Sequence, residues 1–399
     1  MTIEFSFRGS RTVVSGCVLC AAGLLALAPA AVAVRTRPPD PGPAAGPRAV
    51  APQPDLLYRS GTQVRPRPGA PRIPEVSALA WVVADAGTGE VLAAHDAHRP
   101  LPPASTLKTL FALTVLPALP GGVRHQVGHG ELAAVGPGSS MVGVAEGGTY
   151  RVSDLWNGVF LNSGNDAVHV LAALSGSWQG TAARMQAQAR ALGAHDTHVR
   201  SPDGYDTPGQ VSSAFDLAVF GRAGLHNPDF ARYCARVEAQ FPGADGGTYG
   251  IVNTNRLLTG ADGVPPYPGA IGVKNGYTSR AGHTLVAAAR RDGRTLVVTV
   301  MNPQQGGALA VYEEARALLD WGFASAGHVD PVGSLDALRD RAHAVPEPEP
   351  AATPVAARAE DGPGWPETGM IAGAAGLGAG ATALVLRLRL VRPATGPAE

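Results

Sequence analysis

Lysine is almost missing from this chain of 399 residues. Thirty of its 32 basic residues are arginine, and the two lysines are Lys108 and Lys274. Arginine stays protonated in proteins, whereas lysine loses its proton where its surroundings disfavour the charge. Since arginine serves at almost every other basic position, the lysine three residues after Ser105 suggests an amine that is used as a base.

The chain also has no net charge and only three cysteines. Acidic and basic residues balance at 32 each, which gives no electrostatic reason to expect nucleic acid as a partner. Of the three cysteines, Cys17 and Cys20 lie in a segment that we expect to be removed, so that Cys234 would remain alone and no intramolecular disulfide could form. His125 and His129 are separated by residues that do not favour a helix, and we predict no metal site at this pair.

The N-terminal region has the pattern of an export signal. Two arginines precede an apolar run over residues 12–30, and Ala31-Val32-Ala33 follows. This order is typical of a secretory signal peptide over residues 1–33, with a retained membrane anchor as the alternative. Residues 34–75 are rich in proline, arginine and glycine and are predicted to form a disordered linker.

The C-terminal region also has a linker-like composition, followed by an apolar stretch. Residues 334–369 are rich in proline, glutamate and alanine and are predicted to be a second linker. The uncharged stretch 370–386 has 17 residues, the short end of the length needed to span a bilayer, and arginines follow in a predicted cytoplasmic tail, 387–399. We therefore expect an exported protein anchored by its C-terminus. A Gly-Ala-rich disordered tail is one alternative, and wall attachment through the sortase-like stretch 365–369 is another.

The remaining part, residues 76–333, is predicted to be one catalytic domain. Two strands come first, a helical region follows, and three strands and a helix end the domain, which indicates an α+β fold with an antiparallel sheet flanked by helices and a helical subdomain. We expect strands at 78–84, 90–94, 270–274, 284–290 and 295–301, and helices at 105–116, 152–162, 166–173, 181–192, 213–223 and 308–321.

Ser105 and Lys108 form the first candidate site. A serine hydroxyl needs a base before it can act as a nucleophile at neutral pH. On a helix, residues three apart share one face, so the Lys108 amine can reach the Ser105 hydroxyl. Alone, this pattern also fits a capping serine beside a surface lysine.

Two further stretches make a catalytic site the better interpretation. Ser163-Gly164-Asn165 lies in a loop between predicted helices, where a hydroxyl could relay a proton and an amide could bind a peptide. Lys274-Asn275-Gly276 ends an apolar strand, where an ammonium could hold an anionic substrate and a glycine could let its backbone approach.

Together the three stretches resemble the motifs of penicillin-interacting serine enzymes. The surrounding segments ASTLKTL, NSGND, SPDGYDTPGQ and GVKNGYTSRAGHTL are similar to the low-molecular-mass D-Ala-D-Ala carboxypeptidases, and the likeness runs from Val76 to Ala324. It implies the fold shared by β-lactamases and DD-peptidases. The high glycine and arginine content suits an actinobacterial member.

The resemblance also implies roles for three catalytic residues. Ser105 would attack the penultimate D-Ala carbonyl of a peptidoglycan stem peptide, Lys108 would take its proton, and Ser163 would help to protonate the departing D-Ala. The resemblance implies that no metal or cofactor is needed. β-Lactams, which mimic D-Ala-D-Ala, would acylate Ser105 as covalent inhibitors.

Substrate-binding roles are implied for the other motif residues. Asn165 would position the base and the substrate, Lys274 would attract the substrate carboxylate, and Gly276 would permit close approach. Tyr277 would supply a backbone N–H to the oxyanion hole together with Ser105. Asn275 stands where the family usually has threonine, which puts carboxylate affinity and penicillin sensitivity in question.

Two alternatives compete with the carboxypeptidase. A class A β-lactamase needs the pattern Glu-x-x-x-Asn, which is not found between Ser163 and Lys274. The other alternative is a non-catalytic penicillin-binding or wall-sensing module with a relic site, and the intact Ser105 and Lys108 argue against it.

Overall fold

The computed structural model describes residues 56–338. Within them the chain forms twelve strands, numbered in chain order. They are β1 (Thr62–Pro66), β2 (Ala78–Asp85), β3 (Glu90–His95), β4 (Arg124–Gln126), β5 (Thr149–Arg151), β6 (Glu238–Pro242), β7 (Thr248–Val252), β8 (Ala270–Thr278), β9 (Gly282–Arg291), β10 (Arg294–Pro303), β11 (Val329–Asp330) and β12 (Gly333–Ser334).

The same residues form eight α-helices. They are α1 (Lys108–Val115), α2 (Val152–Leu161), α3 (Asn165–Leu174), α4 (Trp178–Ala191), α5 (Ala214–Leu225), α6 (Pro228–Cys234), α7 (Arg256–Thr259) and α8 (Ala310–Ala324).

The main sheet is antiparallel and joins both ends of the domain. Its order is β11-β1-β3-β2-β10-β9-β8, and β12 also pairs with β3. The N-terminal strands meet the C-terminal strands where β2 pairs with β10, with Asp85 opposite Leu296. Strand β8 is at one edge of this sheet, so one side of its backbone is free to face a cleft.

Helices cover both faces of the sheet, and the side chains of β10 show why. Leu296 and Val298 pack with α8, whereas Val297 and Met301 belong to the core that contains α1, α2 and α5. Alternate side chains of a strand point to opposite faces, so a strand buried on both sides is apolar throughout. This arrangement confirms the predicted α+β fold and antiparallel sheet flanked by helices.

The predicted start of the domain at Val76 is wrong. The segment assigned to a disordered linker contains β1, which places Thr62 opposite His95 of β3 and Arg65 opposite Asp330 of β11. The side chain of Leu57 is buried as well. The proline- and arginine-rich composition gave no sign of this short strand, because its backbone hydrogen bonds are made with strands far away in the sequence.

The predicted C-terminal boundary is also too early. Ser334 lies in β12 and Leu335 is buried in the core, so the ordered part continues beyond Gly333. Strands β4 to β7 and helices α6 and α7 were not predicted either. The predicted signal peptide (1–33), transmembrane anchor (370–386) and cytoplasmic tail (387–399) lie outside the described residues. Across residues 56–338, no helix is both long enough and apolar enough to cross a bilayer.

Candidate active site

Ser105 lies in a 3₁₀ turn, Ala104–Leu107, that leads directly into α1. Side chains three residues apart are eclipsed in a 3₁₀ turn, which places Ser105 and Lys108 on one face. The Lys108 Nζ donates to Ser105 Oγ at 2.8 Å. Pro103 secures the start of this turn, because its carbonyl accepts hydrogen bonds from the hydroxyls of Thr106 and Thr284.

Lys108 is buried, and no carboxylate within residues 56–338 forms an ion pair with it. Besides Ser105, its Nζ donates to Asn165 Oδ1 at 2.6 Å and to the carbonyl oxygen of Asp203 at 2.7 Å. Burial lowers the pKa of Lys108 to about 8, against the raising effect of Asp203 and Asp166. At pH 7 such a pKa leaves roughly one amine in ten neutral, compared with roughly one in 3,000 for an ordinary lysine. The site therefore holds a competent base next to the hydroxyl.

The second motif joins α2 to α3 and faces Lys108. Ser163 has a left-handed backbone conformation, with φ of 57°. Its buried Oγ has no hydrogen-bond partner among the described residues, so this hydroxyl is available to a ligand. Asn165 also donates through Nδ2 to Ser139 Oγ at 3.1 Å, which connects α3 to the loop over residues 136–144.

Asp166 holds that loop against α3. Its carboxylate accepts hydrogen bonds from the backbone N–H groups of Val142, Gly143 and Val144 at 2.8–3.1 Å. Three donors from consecutive residues fix the loop backbone firmly. Asp166 therefore positions the wall of the cleft in which Asn165 and Ser139 meet.

Lys274, the second lysine, lies in the middle of β8 and is buried. Its Nζ donates to the backbone oxygen of Asn275 at 2.9 Å. Burial lowers the pKa of Lys274 well below its ordinary value, and the charge of Lys108 lowers it further. A nearby anion would favour the protonated form of Lys274.

Gly276 brings β8 against the nucleophile. A methyl group at this position would lie 2.7 Å from the backbone nitrogen of Ser105 and 2.7 Å from Thr284 Oγ1. Only glycine allows this approach. Tyr277 follows with an exposed side chain that contacts the His283 ring, and it lines the cleft.

Ser105, Asn165 and Tyr277 line an open cleft of about 200 Å³, whereas Lys108, Ser163 and Lys274 lie beneath its surface. The end of β8 and the residue after it supply one wall through residues 277–279, and the loops at 137–140 and 204–206 supply the others.

Comparison with known proteins agrees with this geometry. Residues 67–305 match the family described as peptidase S11, D-alanyl-D-alanine carboxypeptidase. The protein is a member of the D-alanyl-D-alanine carboxypeptidase family. This membership confirms the predicted resemblance and the serine carboxypeptidase function that it implied.

Individual relatives of this carboxypeptidase span most of the described domain. The carboxypeptidase DacB2 of Mycobacterium tuberculosis is 40% identical over 274 residues, which cover 68% of this chain and 89% of DacB2. DacD of Escherichia coli is 33% identical over 276 residues, covering 66% of this chain and 67% of DacD.

Two solved structures are similar in fold. One, a D-alanyl-D-alanine carboxypeptidase from M. tuberculosis, has a TM-score of 0.62 at 40% identity and covers 68% of this chain and 100% of its own. The Streptomyces K15 DD-transpeptidase has a TM-score of 0.58 at 27% identity and covers 64% of this chain and 100% of its own.

The carboxypeptidase site also contains residues that sequence reasoning missed. The carbonyl of Asp203 binds Lys108, and the side chain of Asp203 holds its own loop by accepting from Ser201 Oγ and the Tyr205 N–H. Gly204 makes the loop fit, because a methyl group there would lie 2.0 Å from the carbonyl oxygen of Ala104. The stretch Ser-Pro-Asp-Gly indicated a turn but not its contact with the base.

Asn275, the departure from the family motif, is held by a second missed residue. Thr254 Oγ1 donates to Asn275 Oδ1 at 3.0 Å, and Lys274 Nζ lies 3.5 Å from the same oxygen. The Lys274 ammonium can only donate, which identifies that atom as the oxygen, so the NH₂ group of Asn275 points away from Lys274. Asn275 does not line the cleft beside Ser105, unlike Tyr277.

Proposed function

We propose that this protein removes the terminal D-Ala from peptidoglycan stem pentapeptides through an acyl-enzyme on Ser105. The observation that carries the proposal is the 2.8 Å contact between Ser105 Oγ and a buried Lys108 whose pKa is about 8. A lysine of ordinary pKa would be almost entirely protonated at neutral pH and could not accept the serine proton.

Acylation begins when neutral Lys108 takes the Ser105 proton. Ser105 Oγ then attacks the carbonyl carbon of the penultimate D-Ala, and the carbonyl oxygen becomes an oxyanion. Backbone N–H groups of Ser105 and Tyr277 would stabilise this charge. The close approach of β8 to Ser105 at Gly276 supports that assignment, since it brings the two main-chain segments together.

The departing D-Ala needs a proton on its nitrogen as the tetrahedral intermediate collapses. Ser163 is suited to deliver it, because its buried hydroxyl has no partner within residues 56–338. Protonated Lys108 can then return its proton to the oxygen of Ser163, which restores the Ser163 hydroxyl and neutral Lys108. Water, activated in the same way by Lys108, would hydrolyse the Ser105 ester and release the shortened peptide.

Lys274 would bind the substrate carboxylate. Its burial near Lys108 makes an unpaired ammonium unfavourable, so a substrate anion would gain binding energy from the site. Asn275, fixed by Thr254, would support this interaction from the next position of β8. β-Lactams present a carboxylate and a reactive carbonyl in the same arrangement and would acylate Ser105.

For localisation, we infer export to the extracytoplasmic face of the membrane. The signal-like residues 1–33 and the uncharged stretch 370–386 support an exported enzyme held at its C-terminus. Cell fractionation of the full chain and of a chain that ends at residue 369 tests this. A full chain that stays soluble outside the membrane would contradict the anchor.

The activity itself is tested by D-Ala release from a diacetylated Lys-D-Ala-D-Ala peptide. We compare the full chain with Ser105→Ala and with Lys108→Arg, which keeps a cation but cannot act as a base. Release should vanish in both variants. Release that persists in Ser105→Ala would refute the assigned nucleophile. Labelling of Ser105 by a fluorescent penicillin without D-Ala release would instead indicate a penicillin-binding sensor.

A further inference from the structure

The cleft has a carboxylate on one side of Ser105. Asp206 lines the cleft beside Thr278, whereas Lys274 is buried farther back along β8, before Gly276. We propose that Asp206 is a specificity-determining residue that binds the side-chain amine of the amino acid preceding the two D-alanines. This inference rests on the proposed carboxypeptidase function and names the class of peptide that the site prefers.

The carboxylate of Asp206 is available for a cation. It accepts hydrogen bonds from two neutral groups, Thr278 Oγ1 at 2.8 Å and the backbone N–H of Arg280 at 3.3 Å. Among residues 56–338, no basic side-chain nitrogen lies within 4 Å of it. A carboxylate has about four acceptor positions, so an ammonium group can bind without displacing either donor.

The nearest other carboxylate is not suited to this role. Asp203 is 3% exposed, and its Oδ1 is already bound by Ser201 Oγ and the Tyr205 N–H. Asp206 is only half buried and borders both the catalytic cleft and a neighbouring pocket of about 170 Å³. Among the residues that line these two pockets, Asp206 is the one carboxylate and Arg280 the one basic residue.

The path along β8 has the right length for such a peptide. Because β8 is an edge strand, an extended peptide can lie along its free side, with its carboxylate at Lys274 and the scissile carbonyl at Ser105. Lys274 and Thr278 are four positions apart, a distance of roughly 13 Å in a strand. Three extended peptide residues cover roughly 10 Å, and a long side chain reaches the remainder. The amine of a diamino acid then meets Asp206.

This arrangement predicts where the enzyme acts in wall metabolism. A side-chain amine that has been acylated, as in a cross-link, carries no charge for Asp206 to bind. The enzyme should therefore prefer stem peptides whose diamino acid still has a free amine. Its substrate would come from the reactions that build stem peptides, before any reaction that acylates that amine.

The test compares two peptides that differ only at this amine. They are Nα-acetyl-Lys-D-Ala-D-Ala and its Nα,Nε-diacetyl analogue, each given to the full chain, to Asp206→Asn and to Thr278→Val. We measure D-Ala release and take the ratio of the two kcat/KM values. The wild type should favour the free amine by about five-fold, as for a partly exposed ion pair, and added salt should reduce this ratio.

The two variants separate charge from structure. Asp206→Asn should bring the ratio to about one. Thr278→Val removes a hydrogen bond to Asp206 but leaves its charge, so the preference should remain even if the overall rate falls. Asp229→Asn, a surface change on α6, is the matched control and should keep the wild-type ratio.

Three results would overturn the inference. Equal kcat/KM values in the wild type would show that the amine is not recognised, and an unchanged ratio in Asp206→Asn would assign the recognition to another group. Failure of the wild type to cleave either peptide would refute the proposed function and this inference with it. The last result is distinct from the first two, in which D-Ala is released.

Discussion

Replacing Asn165 by aspartate should turn Lys108 into a poorer base at neutral pH. The substitution keeps the shape of the side chain but places a carboxylate oxygen where Asn165 Oδ1 now lies 2.6 Å from Lys108 Nζ. A nearby anion favours the protonated amine, so the pKa of Lys108 rises from about 8. The neutral fraction at any given pH then falls, and the acylation rate should fall with it.

The size of this shift is bounded by two opposing effects. Coulomb attraction over 2.6 Å amounts to about 6 kcal/mol at an effective dielectric constant of about 20. The new carboxylate must also be desolvated, because Asn165 is only 4% exposed. Ion pairs of this kind shift a pKa by about 1 to 3. The rise of the Ser105 acylation rate with pH should thus shift from about pH 8 to between about pH 9 and 11. At pH 7 the acylation rate should be lower by about 10- to 1,000-fold.

The assay is the rate of Ser105 labelling by a fluorescent penicillin as a function of pH. Asn227→Asp is the matched control, because it makes the same chemical change at a partly exposed N-cap, where aspartate is equally favourable. A rising limb that stays at pH 8 in Asn165→Asp, or that moves to lower pH, would refute the role of Lys108 as the titrating base.

Three further predictions concern the surroundings of the site. Gly276→Ala should lower the labelling rate at least about a hundred-fold without unfolding the chain, because its methyl group would press on the Ser105 backbone nitrogen; normal labelling would contradict the close approach. Thr254→Val should raise the KM for D-Ala-D-Ala peptides several-fold by releasing Asn275, whereas Thr254→Ser should not, and equal KM values would argue against this positioning. Removal of residues 1–66 should lower the Tm by at least about 5 °C relative to removal of residues 1–55, since β3 loses its partner; an equal Tm would show that β1 adds no stability.

The sequence was most informative where chemistry depends on neighbours along the chain. The spacing of Ser105 and Lys108 predicted their contact, although the turn proved to be 3₁₀ rather than α-helical. Both geometries place residues three apart on one face, so the prediction did not depend on the helix type. The apolar runs of β9 and β10 were predicted because a strand buried on both faces is apolar throughout.

Contacts between distant segments could not be predicted in this way. The carbonyl of Asp203 binds Lys108 from 95 positions away, and a backbone oxygen carries no residue-specific pattern. Strand β1 was missed because its composition favours disorder and its pairing comes from β3 and β11. The orientation of the Asn275 side chain could not be predicted either, because it depends on a hydrogen bond from Thr254, which lies between β7 and α7.

The junction of β2 with β10 has a consequence for how the molecule folds. Asp85 and Leu296 are paired across roughly 210 residues, and closing so long a loop opposes the pairing by on the order of 5 kcal/mol of chain entropy. A high contact order of this kind slows folding. The helical region can form early from local contacts, but Lys274 reaches Ser105 only when the sheet closes. A partly synthesised chain would therefore hold the nucleophile and its base without the strand that recognises the substrate.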